Sequence, residues 1–382
     1  MRWLKSCLFA ILIIILINMY PKIVLAGSNA ASSNQEDNFS DYDFSEIDKS
    51  INKYSDYDIS FHEIINSIMG DDGISSKGFI NALTDSFGHV IKSSKTAMIQ
   101  IIMLALFSAA INSFGTGFSK GQVSDTTQMI ISISLTAILI ASFYTACTIS
   151  EDILDSCINI YKSIVPVFFG AVAFSSGNTT AAVYYEIVLL MITTVNIFFK
   201  SVLIRMDKIY ILFSMSDAVT KEDRFSKASE LMEQLIKWAC RTAIIVFTGL
   251  GGIKGMIVPM TDSYKKSMLY KAFQMIPGIG SSIETVSETV IGAGNIIKNG
   301  IGTAAIAVLL VVCFVPVLKL IILSVLFKVT AAVIEPVSDK RIVKAVNSLG
   351  TAIGLLILIV LVAVSLFMLM SAMIVLLTNF HS

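Results

Sequence analysis

Glu284 and Glu288 stand one helical turn apart in the stretch SSIETVSETVIGAG, a spacing that can support general acid–base chemistry. Such a site needs company: a group that orients water, a nucleophile, or a metal that accepts the developing charge. No His, Cys or metal motif accompanies the pair in the sequence. The three histidines, His62, His89 and His381, all fall outside the expected membrane spans, which removes an intramembrane His-based metal site. Walker A, HExxH, GxSxG and paired CxxC patterns are absent as well. Neither catalysis nor a cofactor or metal is therefore expected. The basic residues form no aromatic-interleaved stripe, so no nucleic-acid partner is expected either. Cys147, Cys157, Cys240 and Cys313 are far apart in sequence within or beside apolar segments, and read as small packing residues. Lys319 follows Pro316 inside a long apolar run. It either snorkels toward the cytoplasmic interface or lines a path through the protein.

The element that carries the carboxylate pair is marked by its apolar positions. Ile276, Ile279, Ile283, Val286, Val290, Ala293 and Ile297 recur every third and fourth residue, with Glu284 and Glu288 among the polar residues opposite. This pattern predicts an amphipathic helix over 276–299, opened by Pro277 in its first turn and closed by NGIG at 299–302. An acidic side chain at mid-bilayer costs about 2.5 to 3.5 kcal/mol on insertion scales, so the helix is expected at the membrane interface or against a wet cavity. The apolar seam is the candidate assembly surface.

The remaining elements follow from composition. Of 382 residues, 55% are hydrophobic and 15% charged, against roughly 25% charged in a soluble domain. The expected fold is an all-α, polytopic membrane bundle. Apolar runs predict spans at about 97–114, 128–149, 181–204, 239–258, 301–327 and 351–378. Pro166 and Gly170 predict that 157–178 is broken, as a re-entrant segment or a packed hairpin. The stretch 217–241 reads as a charged amphipathic helix with Leu231, Leu235 and Trp238 on one face, suited to the membrane surface or to a cytoplasmic partner. Gly251-x3-Gly255 and Gly350-x3-Gly354 have the spacing that lets helices approach closely.

Charge distribution orients the chain. Glu36 to Asp85 holds twelve acids against three bases, and Ser86 onward holds sixteen acids against twenty-two bases. Lys and Arg favour cytoplasmic loops, which places the acidic head outside and the loops containing Lys200, Arg205, Lys208 and Lys328, Lys340, Arg341, Lys344 inside. Lys254, Lys265, Lys266 and Lys271 disagree with this alternation, so 239–258 is a candidate for dipping in and returning. At the N-terminus, Arg2 and Lys5 precede the apolar run Cys7–Ile17 and the small-residue pattern ending at Ala26. This predicts a signal peptide over 1–26, cut between Ala26 and Gly27, with an uncleaved anchor as the alternative. Residues 27–95 are expected to form an acidic, partly helical extracytoplasmic segment. Its repeat, SDYDFS at 40–45 and SDYDIS at 55–60, reads as a solvated tether or as a docking or calcium-binding motif. The polytopic domain then occupies 96–382.

Taken in order, the signal peptide, the acidic segment, SSIETVSETVIGAGNIIKNGIG, CFVPVLKLIILSVLFKVTAAVIEPVSD at 313–339 and the final apolar helix resemble the stage III sporulation protein AE family. The resemblance implies a multi-pass subunit of a channel or secretion-like complex, made in the mother cell and placed in the membrane around the forespore. Its implied partners are other sporulation channel-complex membrane proteins, the lipid bilayer and further copies of the chain. It implies no catalytic residues. A secondary transporter, with a site at broken helices such as 157–178 and at Lys319, is the alternative of a different class.

Overall fold

The computed structural model describes residues 48–49, 92, 94–111, 122–176, 178–219, 224–249 and 280–379, with the backbone alone over 122–125, 171–185, 187, 218–219, 280–300 and 373–379. These residues are helical apart from 224–225 and 335–339, and no strand occurs among them. In chain order they form α1 (Ser94–Ile111), α2 (Gln122–Ser176), α3 (Asn178–Ile197), a π-helical stretch (Phe198–Leu203), α4 (Ile204–Val219), α5 (226–249), α6 (Gly280–Ile334) and α7 (Lys340–Asn379). All lie within one unit, Phe44–Ser382. Among the described residues, five stretches are long and apolar enough to cross a membrane: Ser94–Ile111, Thr126–Gly170, Val188–Asp217, Ile301–Ile334 and Lys340–Ala372.

The most apolar sequence becomes the centre of the bundle. In α7, Leu349, Ile353, Leu356, Val360, Ala363 and Phe367 are all shielded completely. Helices α2, α4 and α6 pack around it. A helix apolar on all sides is suited to this role, because protein then surrounds it instead of lipid. At the opposite extreme, Ile99, Met103, Leu106 and Phe107 of α1 are exposed.

α6 and α7 form a tight hairpin. α6 ends at Ile334, two residues before Pro336, and the N–H groups of Val337 and Ser338 donate to the Ile334 carbonyl at 3.1 and 2.8 Å. Asp339 then caps α7, its Oδ1 accepting the N–H of Arg341 at 3.1 Å. Higher in the hairpin, Ser324 Oγ donates to the carbonyl of Gly350 at 2.8 Å.

Continuity of the long helices differs from the sequence reading in two places. No break occurs at Pro166 or Gly170, where 157–178 was expected to be interrupted: α2 runs as one helix of 55 residues through both to Ser176. A proline in a helix interior costs about 3 kcal/mol, and the burial of Ile164, Val165, Phe168 and Phe169 around it offsets that cost. Likewise NGIG at 299–302 does not end the amphipathic helix. α6 starts at Gly280 and continues for 55 residues, joining the amphipathic stretch to the apolar one. Interior glycines weaken a helix by about 1 kcal/mol each relative to alanine, but Ile301, Ala304, Ala305 and Val308 follow at once as fully or almost fully buried contacts.

The third apolar run also extends further than expected, since α3, the π stretch and α4 carry it past Lys200, Arg205 and Lys208. The charged helix expected over 217–241 is divided: α4 ends at Val219 and α5 begins at 226. Residues 250–258 of the expected fourth span lie outside the described residues, as do the signal peptide, the SDYD repeat and all three histidines.

Candidate polar site within the helical bundle

A belt of charge, with its side chains 32–41% exposed, joins α2 to the π stretch and α4. Glu151 and Asp155 are four residues apart on α2, so they project from one face. Lys200 places its Nζ 2.8 and 2.7 Å from the two oxygens of Asp155, and Lys208 Nζ lies 2.9 Å from Glu151 Oε1. Asn196 adds a hydrogen bond from Nδ2 to the carbonyl of Leu154 at 3.3 Å. An unpaired charge in an apolar helix is expensive, and pairing across two antiparallel helices lets both carry charge through an apolar region.

The π stretch supplies the register. Residues eight apart in an uninterrupted α-helix are about 80° out of line. The π-helical stretch Phe198–Leu203 covers the first four of the positions from Lys200 to Lys208, and its wider turn takes up part of that offset. Lys200 and Lys208 thereby both reach α2.

Beside this belt sits Asp207. It is 0% exposed, and neither carboxylate oxygen has a hydrogen-bond partner. Glu233 of α5 acts on it electrostatically, and it acts in turn on Cys147 of α2 and Tyr210 of α4 itself. Tyr210 in turn meets the hydroxyls of Ser348 and Thr351 on α7, which sets the site near the end of α7 that carries Lys340, Arg341 and Lys344. Glu233 is paired with Lys237 one turn along α5. The start of α5 is tied to α4 by Asp217, whose Oδ1 accepts the N–H of Phe225 at 2.8 Å, and by the stacked rings of Phe213 and Phe225, 5.7 Å apart.

Further along α2, the contacts with the central hairpin are uncharged. Cys157 Sγ lies 3.3 Å from Cys313 Sγ of α6, and both thiols are buried and free. One turn on, the Tyr161 hydroxyl bonds to the Phe367 carbonyl and to Ser371 of α7, with its ring stacked on Phe367 at 5.3 Å.

The residues singled out from sequence fall differently. Glu284, Glu288, Ile283, Val286, Val290 and Ile297 lie in the first part of α6, whose backbone is described. Ile276, Ile279, Gly251, Gly255, Ala26 and Gly27 lie outside the described residues. Lys319 is half-buried in α6, three residues after Pro316, and makes its own polar contacts. Gly350 and Gly354 face α6, where Gly350 meets Lys328 and Ser324. The charge belt and Asp207 were not anticipated. Their signal was available in Glu151 and Asp155 at a four-residue spacing, and in the run of charges from Lys200 to Lys208 that reads more simply as the end of a span. No group of three or more His, Cys, Asp or Glu able to hold a metal occurs among the described residues.

The fold and this belt define a helical membrane protein with ionisable residues built into its bundle. Comparison with known proteins narrows the class. The model of the family "Stage III sporulation protein AE (spore_III_AE)" matches residues 59–378, and the chain belongs to that family. It is 20% identical over 295 residues to the "Stage III sporulation protein AE" of Bacillus subtilis (strain 168), covering 77% of this chain and 73% of that one. No solved structure matches it.

Proposed function

We propose that the protein acts in sporulation, a role that its family membership supports, as a multi-pass subunit of the channel or secretion-like complex between mother cell and forespore, in the mother-cell membrane that surrounds the forespore. Its contribution is structural: the long helices assemble with partner membrane proteins or further copies, and in doing so help to form the conduit. The reading assigns no catalytic residue, cofactor or nucleic acid.

The observation that carries it is the family match over residues 59–378 of a chain with five membrane-length apolar stretches among its described residues. Its test is expression of a tagged copy in the mother cell alone, in a strain lacking its own gene, followed by mild solubilisation. Restored spore formation together with co-isolation of other sporulation membrane proteins is the expected result. Restoration from forespore expression alone, or isolation free of sporulation partners, refutes it.

A permease-like transporter is the second reading, favoured by one observation: charged and buried acidic residues inside the apolar bundle. Uptake of a solute into vesicles containing this chain alone, lost when Lys200 or Asp155 is replaced, would select it.

A further inference from the structure

The charge pairs account for Lys200, Lys208, Glu151 and Asp155, but leave Asp207 without a structural purpose. Its carboxyl is shut off from solvent and neither oxygen accepts a hydrogen bond, although Lys208 is its chain neighbour and is turned away to Glu151. A bundle that needed only an apolar side chain at this position would hold a leucine at no cost. An ionised carboxylate here, without a counter-charge, is among the most unfavourable groups that a protein interior can hold. The adjacent Glu233 adds negative charge, and Cys147 and Tyr210 bring no positive charge. The state that fits these surroundings is the neutral acid.

We propose that Asp207 is a proton-binding site of the bundle, holding its proton while enclosed and releasing it to water when the helices around it part. Its carboxyl is completely shielded and neither oxygen accepts a hydrogen bond. On release the proton goes to water, Asp207 becomes an anion and no electrons move. That anion is stable only once water or a cation reaches it. Proton loss and helix movement are therefore linked at this point. The proposal concerns this chain's own chemistry and holds for a channel subunit or for a transporter.

The test is infrared difference spectroscopy of the purified full-length protein in lipid vesicles, stepped from acid to alkaline pH. A protonated-carboxyl C=O band that persists at neutral pH is expected. It should shift when the aspartate side-chain carboxyls are isotopically labelled, disappear in Asp207→Asn and remain in Asp155→Asn. A wild-type spectrum without such a band, or a band retained in Asp207→Asn, overturns the proposal. Spore formation supplies the second reading. Asp207→Asn imitates the permanently neutral acid and keeps the side-chain volume, so it is expected to accumulate normally yet form fewer heat-resistant spores, with Asp207→Glu retaining more activity. Wild-type sporulation by Asp207→Asn would refute proton exchange as part of the protein's work. Should Asp207→Asn fail to accumulate, the labelled wild-type band and its displacement in Asp207→Glu decide the question.

Discussion

A Cβ atom added at Gly350 would lie 2.7 Å from Lys328 Cγ and 3.3 Å from the Ser324 carbonyl oxygen, whereas one at Gly354 would meet only Ser324 Oγ at 4.0 Å. Both glycines belong to one small-x3-small spacing, yet only the first is occupied on its open side by a neighbouring helix. Overpacking of a fitted contact costs about 1–3 kcal/mol, so Gly350→Val is expected to reduce thermal stability in detergent and to lower accumulation in the membrane. Gly354→Ala should leave both near wild type. Thermal unfolding of the two variants, measured side by side, checks this; equal behaviour would mean that the α6–α7 hairpin has room that its hydrogen bond from Ser324 does not suggest. The glycine spacing was readable in the sequence. Which glycine matters was not, because that depends on where Ser324 and Lys328 arrive from another helix.

Between elements, the cross-helix pairs are the decisive contacts. Lys200→Glu faces Asp155 with a like charge, and a loss of about 1–3 kcal/mol is expected, between the values for exposed and buried pairs. The exchanged double variant, Asp155→Lys with Lys200→Glu, should recover much of it; a double variant no better than the single one would show that the pair contributes only through local surroundings. Helix alignment has its own reporter in Cys157 and Cys313. Their sulfurs are 3.3 Å apart, and a disulfide needs about 2.05 Å, a small side-chain adjustment if Cα geometry allows it. A membrane-permeant oxidant is expected to link them within one chain, detected as two fragments held together after cleavage between α5 and α6. Failure to link while both thiols remain reactive to small alkylating reagents would contradict the packing of α2 on α6. The sequence made the apolar segments plain but not their continuity. Pro166 and NGIG are local breakers, and their cost is exceeded by burial against helices distant in the chain, which local pattern cannot register. The partners of Glu151 and Asp155 were hidden for the same reason, as they depend on the π stretch.

At the scale of the molecule, α7 offers the cleanest test of how the bundle sits in a bilayer. Its apolar stretch is flanked by Lys340, Arg341 and Lys344 at one end, with Asn379 at the other. Once the native cysteines are replaced by serine with function retained, single cysteines at Lys340 and Asn379 are expected to report opposite sides to a membrane-impermeant thiol reagent. With the protein expressed in vegetative cells stripped of their wall, position 379 should label directly, and position 340 only after permeabilisation. Labelling of both from one side would mean that α7 does not cross. Fold class and family were legible from composition and from the order of segments, since apolar runs of this length leave few alternatives to helices. The centrality of α7 was only hinted at by its lack of charge. The polar site was missed because a buried acid and a span-ending acid look alike in one dimension.

The length of α2 has a mechanical meaning. At 55 residues it extends about 80 Å, more than twice the roughly 30 Å thickness of a hydrocarbon core. It lies against α6, which has the same length. Rods of this length would amplify any tilt: a small rotation where α7 packs on them would become a large displacement at their ends. Force applied there by a neighbouring molecule would be delivered, with leverage, to the contacts around Asp207.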